Sequence, residues 1–118
     1  MPASRVKTAV ATREPAGGHC CPKLHEAVEL VGKRWTGAII AVLLTGGPMR
    51  FSEVAQAIPD LSDRLLSERM KELEARGLVA RRVHQETPVR VEYELTEKGR
   101  ALAPALNELR CWARAHLD

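Results

Sequence analysis

The sequence is poor in cysteine and has no long apolar segment. Three cysteines occur among 118 residues, at Cys20, Cys21 and Cys111. A small, odd number of cysteines argues against a secreted disulfide framework and fits the reducing cytoplasm. The longest apolar run, Ala38–Leu44, is much shorter than the roughly 20 residues that span a membrane. The N-terminus has scattered charges and no apolar signal region, so we expect a cytoplasmic protein without a membrane span.

Motifs that are typical of catalytic sites are also absent. The chain has no glycine-rich phosphate loop, nucleophile elbow or paired-carboxylate motif, so we expect neither an enzyme nor a cofactor. Its 118 residues suit one domain, and a composition of 45% hydrophobic and 28% charged residues allows an ordinary core. A net charge of +3 and a pI near 9.0 permit nucleic-acid binding without requiring it.

The N-terminal region differs in composition from the rest. Residues 1–19 are rich in Ala, Pro, Gly and Thr without periodicity, which predicts a flexible arm, and residues 20–118 then form one domain. Pro22 suits the first position of a helix that ends at Gly32. A second helix, from about Arg34 to Thr45, is apolar on most sides and belongs at the centre of a core or dimer.

The middle of the chain predicts two helices joined by a turn and followed by a hairpin. Ser52 begins a short helix that a Pro-Asp pair ends, and Ser62 is a good N-cap for a helix that reaches about Arg76. Apolar and polar residues then alternate over Val79–Val83 and Val89–Leu95, which indicates two half-buried strands.

The hairpin tip and the C-terminal helix complete the predicted fold. His84–Pro88 form the tip, or wing, between the two strands. Thr96 is a candidate N-cap for a final helix, which Pro104 kinks or delays. This order of elements predicts an α+β, mainly helical fold, a winged helix-turn-helix with a two-stranded β-hairpin wing.

The helix after Ser62 has one apolar side and one polar side. At about 100° per residue, Leu66, Met70 and Leu73 fall opposite a row of hydrogen-bonding groups. Arginine suits guanine edges, glutamate accepts from cytosine, and serine and lysine suit phosphates or bases. Arg69 lies nearer the apolar side, so we expect an internal ion pair there. The polar row consists of Arg64, Ser67, Glu68 and Lys71.

By itself this helix could be any amphipathic surface helix, but its neighbours favour DNA. A short helix precedes it and a charged hairpin follows it, as in proteins that insert a helix into the major groove. Wing residues such as Arg81 and Gln85 could contact phosphates or the minor groove, or could be ordinary solvent-exposed side chains. Acidic neighbours weaken the positive field, so affinity would depend on two subunits. The predicted DNA-binding residues are Arg50, Ser62, Arg64, Ser67, Glu68, Lys71, Arg82, His84 and Arg90.

Several segments together resemble the HxlR-type family of bacterial winged helix-turn-helix transcriptional regulators. The resemblance extends from Cys21 through Trp112, and so many blocks in the right order make it specific. It departs at Arg34, where lysine is usual, and at Gly37, which weakens the second helix slightly. The matching blocks are Gly32–Thr36, Met49–Glu53, Ile58–Met70, Leu73–Val79, Pro88–Thr96 and Lys98–Arg100.

The resemblance implies how such a protein acts. It implies a homodimer whose N- and C-terminal helices pack together, binding to inverted-repeat operators in double-stranded DNA, and control of nearby genes, often for oxidoreductases or stress responses. A repressor that occludes promoter DNA is the expected form. An apolar pocket at the dimer interface could admit a small-molecule effector, although the sequence identifies none.

Cys21 is a candidate redox sensor. It stands before Pro22 at a predicted helix N-terminus, with His19, Lys23 and His25 nearby, and such surroundings favour the reactive thiolate. The resemblance implies oxidant or quinone sensing by a cysteine in this part of the chain, and Cys20 fits less well. The alternative is that Cys21 only packs at the dimer surface.

Other functions compete with these expectations. His19, Cys20, Cys21 and His25 could bind a metal, but adjacent cysteines do not match zinc-ligand spacing, so we expect no metal site. A disulfide between neighbouring cysteines would be strained, which makes a bridge between subunits the more plausible oxidised product. A winged helix that binds only protein, or an enzyme with Cys21 or Cys111 as nucleophile, is the remaining alternative.

Overall fold

The computed structural model describes residues 21–118. The predicted arm and Cys20 lie outside the described residues. By their contacts, residues 32–118 form one unit and the first helix belongs to another. The elements are α1 Pro22–Val31, α2 Thr36–Gly46, α3 Phe51–Ala57, α4 Asp63–Ala75, β1 Val79–His84, β2 Arg90–Leu95, α5 Glu97–Arg100 and α6 Ala103–His116.

The core of the second unit is built around α2. Ile39, Ile40 and Leu43 of this helix are buried, and α2 contacts α3, α6 and β2. This confirms that the second helix is central to the core. The sequence placed its start near Arg34, but the helix begins at Thr36 because Trp35 has a left-handed backbone with a φ of 76°. The other buried apolar residues are Val54, Ile58, Leu61, Leu66, Met70, Leu73, Leu78, Val79 and Leu95.

The helix-turn-helix consists of α3, a tight turn and α4. The Glu53 carboxylate accepts a hydrogen bond of 2.8 Å from the Arg50 N–H, so α3 starts at Phe51 rather than at the predicted Ser52. Ser62 Oγ accepts a hydrogen bond of 3.2 Å from the Leu65 N–H, which confirms the predicted N-cap of α4.

A glycine directs the chain from α4 into the hairpin. Gly77 has a φ of 75°, its N–H donates to the Glu74 carbonyl, and the Leu78 N–H donates to the Leu73 carbonyl. These two bonds form a Schellman motif, which left-handed glycine makes possible. The helix therefore ends where the sequence predicted, and β1 begins two residues after Gly77.

The hairpin is antiparallel, with Val79 opposite Leu95 and His84 opposite Arg90. The second strand starts at Arg90, one residue after the predicted start. Met49, in the loop between α2 and α3, also pairs with Tyr93 through backbone hydrogen bonds of 2.9 and 2.7 Å. The hairpin is thereby bonded to the loop that leads into the helix-turn-helix.

The predicted C-terminal helix is two helices. Thr96 Oγ1 caps α5 by accepting from the Gly99 N–H at 3.1 Å, but α5 ends at Arg100. Pro104 cannot donate a hydrogen bond to the Arg100 carbonyl, so the chain turns and α6 begins at Ala103. The expectation that Pro104 interrupts this region is confirmed.

The Lys98–Arg100 block fastens α5 to the preceding elements. Lys98 Nζ donates to the Arg76 carbonyl at 2.8 Å, and Arg100 Nη1 donates to the Leu95 carbonyl at 2.6 Å. Between them, buried Gly99 lies so close to the chain that a Cβ would be 2.3 Å from the Leu78 carbonyl oxygen. The block therefore holds the end of α4 and both strands at one junction.

Gly99→Ala is expected to destabilise the fold by about 1–3 kcal/mol, because the added methyl group collides with backbone that cannot rotate away. Gly46→Ala is a matched control, since its Cβ would meet only the flexible Met49 side chain at 2.4 Å. Urea unfolding followed by circular dichroism measures both changes. Equal unfolding midpoints for the two variants would contradict the assignment of Gly99 as a close-packing position.

Candidate nucleic-acid interface

The outer side of α4 carries the predicted polar row. Its inner side is closed by Leu66, Met70 and Leu73, each no more than 2% exposed. Because α4 is a regular helix, this burial turns the opposite side toward solvent. Arg64, Glu68 and Lys71 are exposed, while Ser67 is half-buried.

The cations of this polar row are available to a ligand. Within the part of the chain that the structure describes, neither the Arg64 nor the Lys71 side chain makes a hydrogen bond or ion pair. Ser62, Arg64 and Glu68 line a shallow depression at the start of the helix, together with Leu65. The structure therefore brings the five predicted residues of this region, Ser62, Arg64, Ser67, Glu68 and Lys71, onto one helix with its cap.

The predicted wing cations are instead paired with carboxylates of the same hairpin. Arg82 forms an ion pair with Glu94. His84 Nε2 lies 2.9 Å from a Glu92 oxygen, and Arg90 Nη2 lies 3.1 Å from a Glu86 oxygen. Strand alternation explains this arrangement, because every second residue of both strands points to the same face.

Arg81 is the wing cation that the main prediction omitted. It is exposed on the face of the hairpin opposite to Arg82, and it makes no hydrogen bond or ion pair within residues 21–118. Alternation along the strand could have shown that Arg81 and Arg82 point to opposite faces. Which of the two faces carries the carboxylates of β2 depends on the strand register, which the sequence did not show. Gln85 is exposed at the tip.

Arg50 lies near the wing in space, although it is far from it in sequence. It is exposed at the N-terminus of α3, and it lines a cleft with Arg90 and Glu86. Pro88, Val89 and Val91 form the rest of this cleft. Two predicted DNA-binding arginines thus meet beside the hairpin tip, one of them already paired with a carboxylate.

The structure places Cys21 at the N-terminal end of α1. Its carbonyl accepts the first hydrogen bond of the helix, 2.9 Å from the His25 N–H, and the residue is half-buried. Cys111 is exposed on α6, and neither cysteine forms a disulfide within the described residues. No group of three or more His, Cys, Asp or Glu that could hold a metal occurs in residues 21–118, whereas His19 and Cys20 lie outside that range.

The two terminal helices expose apolar side chains. On α1, Leu24 and Val28 are more than half exposed. On α6, Leu109 and Trp112 are also more than half exposed, and the Trp112 ring lies 5.4 Å from the His116 ring. No helix in the described part of the chain is long and apolar enough to cross a membrane.

Comparison with known proteins adds evidence on function. A family model described as HxlR-like helix-turn-helix matches residues 30–118. The chain is 53% identical over 98 residues to YvaP, an uncharacterised HTH-type transcriptional regulator of Bacillus subtilis, covering 83% of this chain and 90% of YvaP. It is 50% identical over 97 residues to the HTH-type transcriptional regulator YodB of the same species, covering 82% and 86%.

Solved structures of similar proteins have the same fold. The reduced form of YodB matches with a TM-score of 0.77 at 48% identity, over 85% of this chain and 97% of YodB. Diamide-treated and quinone-bound YodB each match with a TM-score of 0.71 at 46% identity, over 86% and 81% of this chain and 99% of YodB. The redox regulator HypR in its reduced form matches with a TM-score of 0.75 at 32% identity, over 81% and 94%.

Proposed function

Because the chain belongs to the HxlR-like helix-turn-helix family of transcriptional regulators, we propose that it represses nearby genes by binding inverted-repeat operators as a homodimer. Binding to DNA, rather than turnover of a substrate, is the chemistry we assign to it. A regulator of transcription acts where the chromosome is, which supports a cytoplasmic location.

The observation that carries the proposal is the exposed row on α4. Two cations without partners in the described residues, Arg64 and Lys71, share one side of a helix with Ser67 and Glu68. A helix of this kind fits the major groove, where arginine reads guanine and the other groups contact bases or phosphates. An apolar or wholly acidic row would favour a protein partner instead.

The wing would contribute differently from the helix. The charge of Arg82 and of Arg90 is already partly neutralised by a carboxylate, so we expect a phosphate contact at either residue to add less affinity than one at an unpaired cation. Arg81 has no such competitor in the described residues. We propose that Arg81 supplies the main phosphate contact of the hairpin.

The double variant Arg64→Ala/Lys71→Ala is expected to lose at least about tenfold in affinity, since one base-reading arginine alone contributes about 1–3 kcal/mol. The probe is a duplex that the wild-type protein selects from a random pool, and fluorescence anisotropy at several salt concentrations measures binding. Loss of the Lys71 phosphate contact should also reduce the salt slope by about one per subunit.

Arg114→Ala is the matched control, because it removes an exposed cation that lies outside the helix-turn-helix and on the side of α6 opposite to Leu109 and Trp112. It should leave affinity within about twofold of the wild type, as surface substitutions away from an interface usually do. Failure of the wild-type protein to enrich any duplex, or undiminished affinity of the double variant, would contradict the proposed function.

We propose further that the terminal helices form the dimer interface. Leu24 and Val28 on α1, and Leu109 and Trp112 on α6, present apolar surface that association would remove from water. Dimers in which each subunit contributes the same surface would place two α4 helices about one turn of DNA apart.

Leu109→Ser/Trp112→Ser is expected to shift the protein from dimer to monomer and to reduce affinity for the selected duplex. The reason is that truncating buried aromatic anchors commonly costs about 2 kcal/mol or more. Sedimentation velocity measures the oligomeric state, with Asn107→Ser as an exposed control on the opposite side of the same helix. A wild-type protein that sediments only as a monomer would contradict the dimer.

Cys21 is proposed to make the regulator sensitive to electrophiles. YodB has been solved in reduced, diamide-treated and quinone-bound forms, and Cys21 lies half-buried at the N-terminal end of α1. The thiolate sulfur would add to a ring carbon of a quinone, forming one C–S bond. The hydrogen of that ring carbon moves to one quinone oxygen as a proton and the other oxygen takes up one proton, so the ring becomes a hydroquinone thioether and no group leaves.

Treatment with 1,4-benzoquinone is expected to weaken binding of the wild-type protein to the selected duplex by about 5- to 150-fold, the usual range of coupling between two sites. Cys21→Ser should keep its affinity after treatment, whereas Cys111→Ser and Cys20→Ser should behave as the wild type. Fluorescence anisotropy before and after treatment measures this. Normal release of Cys21→Ser would contradict the role of Cys21 while leaving DNA binding intact.

A further inference from the structure

The segment between α1 and α2, residues 32–35, is bonded to the DNA-reading helix. Arg69 of α4 donates from Nε to the Arg34 carbonyl at 3.0 Å. Lys33 Nζ lies 3.0 Å from a carboxylate oxygen of Glu72, one turn further along α4. Two contacts therefore connect this segment to α4: in one the helix donates the hydrogen bond, and in the other the segment donates it.

Arg69 is the central residue of this connection. Its side chain is only 13% exposed, and Nη1 lies 3.4 Å from Glu72 and 3.6 Å from Glu68. The expected internal ion pair is confirmed, but the contact with the Arg34 carbonyl was not expected. Although Arg69 lies beside the polar row, its guanidinium is paired with these carboxylates and does not face solvent.

Trp35 shows that the segment is held in an unusual conformation. Its φ of 76° is rare for a bulky residue, and the Arg34 guanidinium lies 5.2 Å from the centroid of its ring. Such a backbone persists only where its surroundings determine it. The hydrogen bond from Arg69 to the peptide carbonyl just before Trp35 is one of those determinants.

We infer that Arg69 is a positioning residue which, with Lys33, sets the rotation of α4 about its own axis. This inference rests on the proposed function. The apolar side chains of α4 determine which side of the helix faces the core, and the contacts on its flank fix the rotation more finely. At a side-chain radius of about 5–6 Å, a rotation of about 20° moves the exposed groups by about 2 Å. That displacement breaks a hydrogen bond to a base edge, whose useful range is only about 2.7–3.2 Å.

Loss of the correct rotation should weaken contacts with bases more than contacts with phosphates. Base contacts require the correct rotation, whereas attraction to phosphates does not depend on sequence. Arg69→Met should therefore reduce affinity for the selected duplex by about tenfold or more, one base contact's share of about 1.4 kcal/mol. Affinity for a scrambled duplex of the same length should stay within about threefold. The ratio of the two affinities is the readout.

Two conservative variants test whether the connection itself matters. Arg69→Lys keeps the positive charge beside Glu72 and should restore part of the lost ratio. Lys33→Arg keeps the ion pair with Glu72 and should retain the wild-type ratio, while Lys33→Gln should lower it. A purely structural role would lower both affinities together through the folded fraction, leaving the ratio unchanged, and that outcome would overturn the inference.

Hydrogen exchange by mass spectrometry tests the connection without DNA. In Arg69→Met, amide exchange should increase in residues 32–35 and along α4, with the hairpin unaffected. Unchanged exchange in residues 32–35 would overturn the inference, even if DNA binding behaves as proposed. Failure of the wild type to discriminate the selected duplex would instead contradict the proposed function, and the exchange result would still decide whether the connection exists.

Discussion

The burial of Leu66, Met70 and Leu73 is the constraint on which the rest of the molecule depends. Burying each of these side chains is favourable by about 1.5–3 kcal/mol, so α4 cannot turn its apolar side outward. The 3.6-residue period of the helix then determines which residues face solvent. Burial of the three apolar side chains on one side of α4 therefore places Arg64 and Lys71 in solvent on the other side. Their side chains have no partners among the described residues.

The hairpin and the helix use charge in opposite ways. On the hairpin, most cations face carboxylates across or along the strands, which makes the wing nearly neutral on that face. On α4, Arg69 takes up the neighbouring carboxylates of Glu68 and Glu72, and Arg64 and Lys71 remain unpaired within the described chain. On α4 the four acidic residues outnumber the three basic ones, so it is this pairing, and not an excess of positive charge, that leaves Arg64 and Lys71 available.

The sequence predicted those parts of the fold that depend on local chemistry. Ser62 as N-cap, Gly77 as helix end and the alternation of the two strands all follow from single residues and their spacing. The left-handed Trp35 was not predictable, because no glycine marks the position and the neighbouring Arg34 carbonyl is bonded to Arg69, which is distant in sequence. Helix α3 starts one residue before the predicted Ser52, because the Glu53 carboxylate accepts a hydrogen bond from the Arg50 N–H. Arginine is not a usual N-cap residue, so the sequence did not indicate this start.

The candidate site, like the fold, has one part that the sequence alone predicts and another that depends on contacts between distant residues. The polar row of α4 needed only helical periodicity, so its four residues could be named from the sequence. The wing needed the strand register, since only the pairing of β1 with β2 brings Arg82 beside Glu94 and leaves Arg81 on the other face. Cys21 was placed at a helix terminus by the proline that follows it, which the structure confirms.

The pairing of Met49 with Tyr93 has a consequence for the kind of duplex that is recognised. Because the hairpin is bonded to the loop before α3, the wing cannot swing independently of the helices that follow. In the proposed complex, the distance between the base of the wing and α4 would therefore be set by the fold and not by the DNA. DNA whose sequence narrows or stiffens its minor groove would therefore be distinguished at base pairs that no side chain touches.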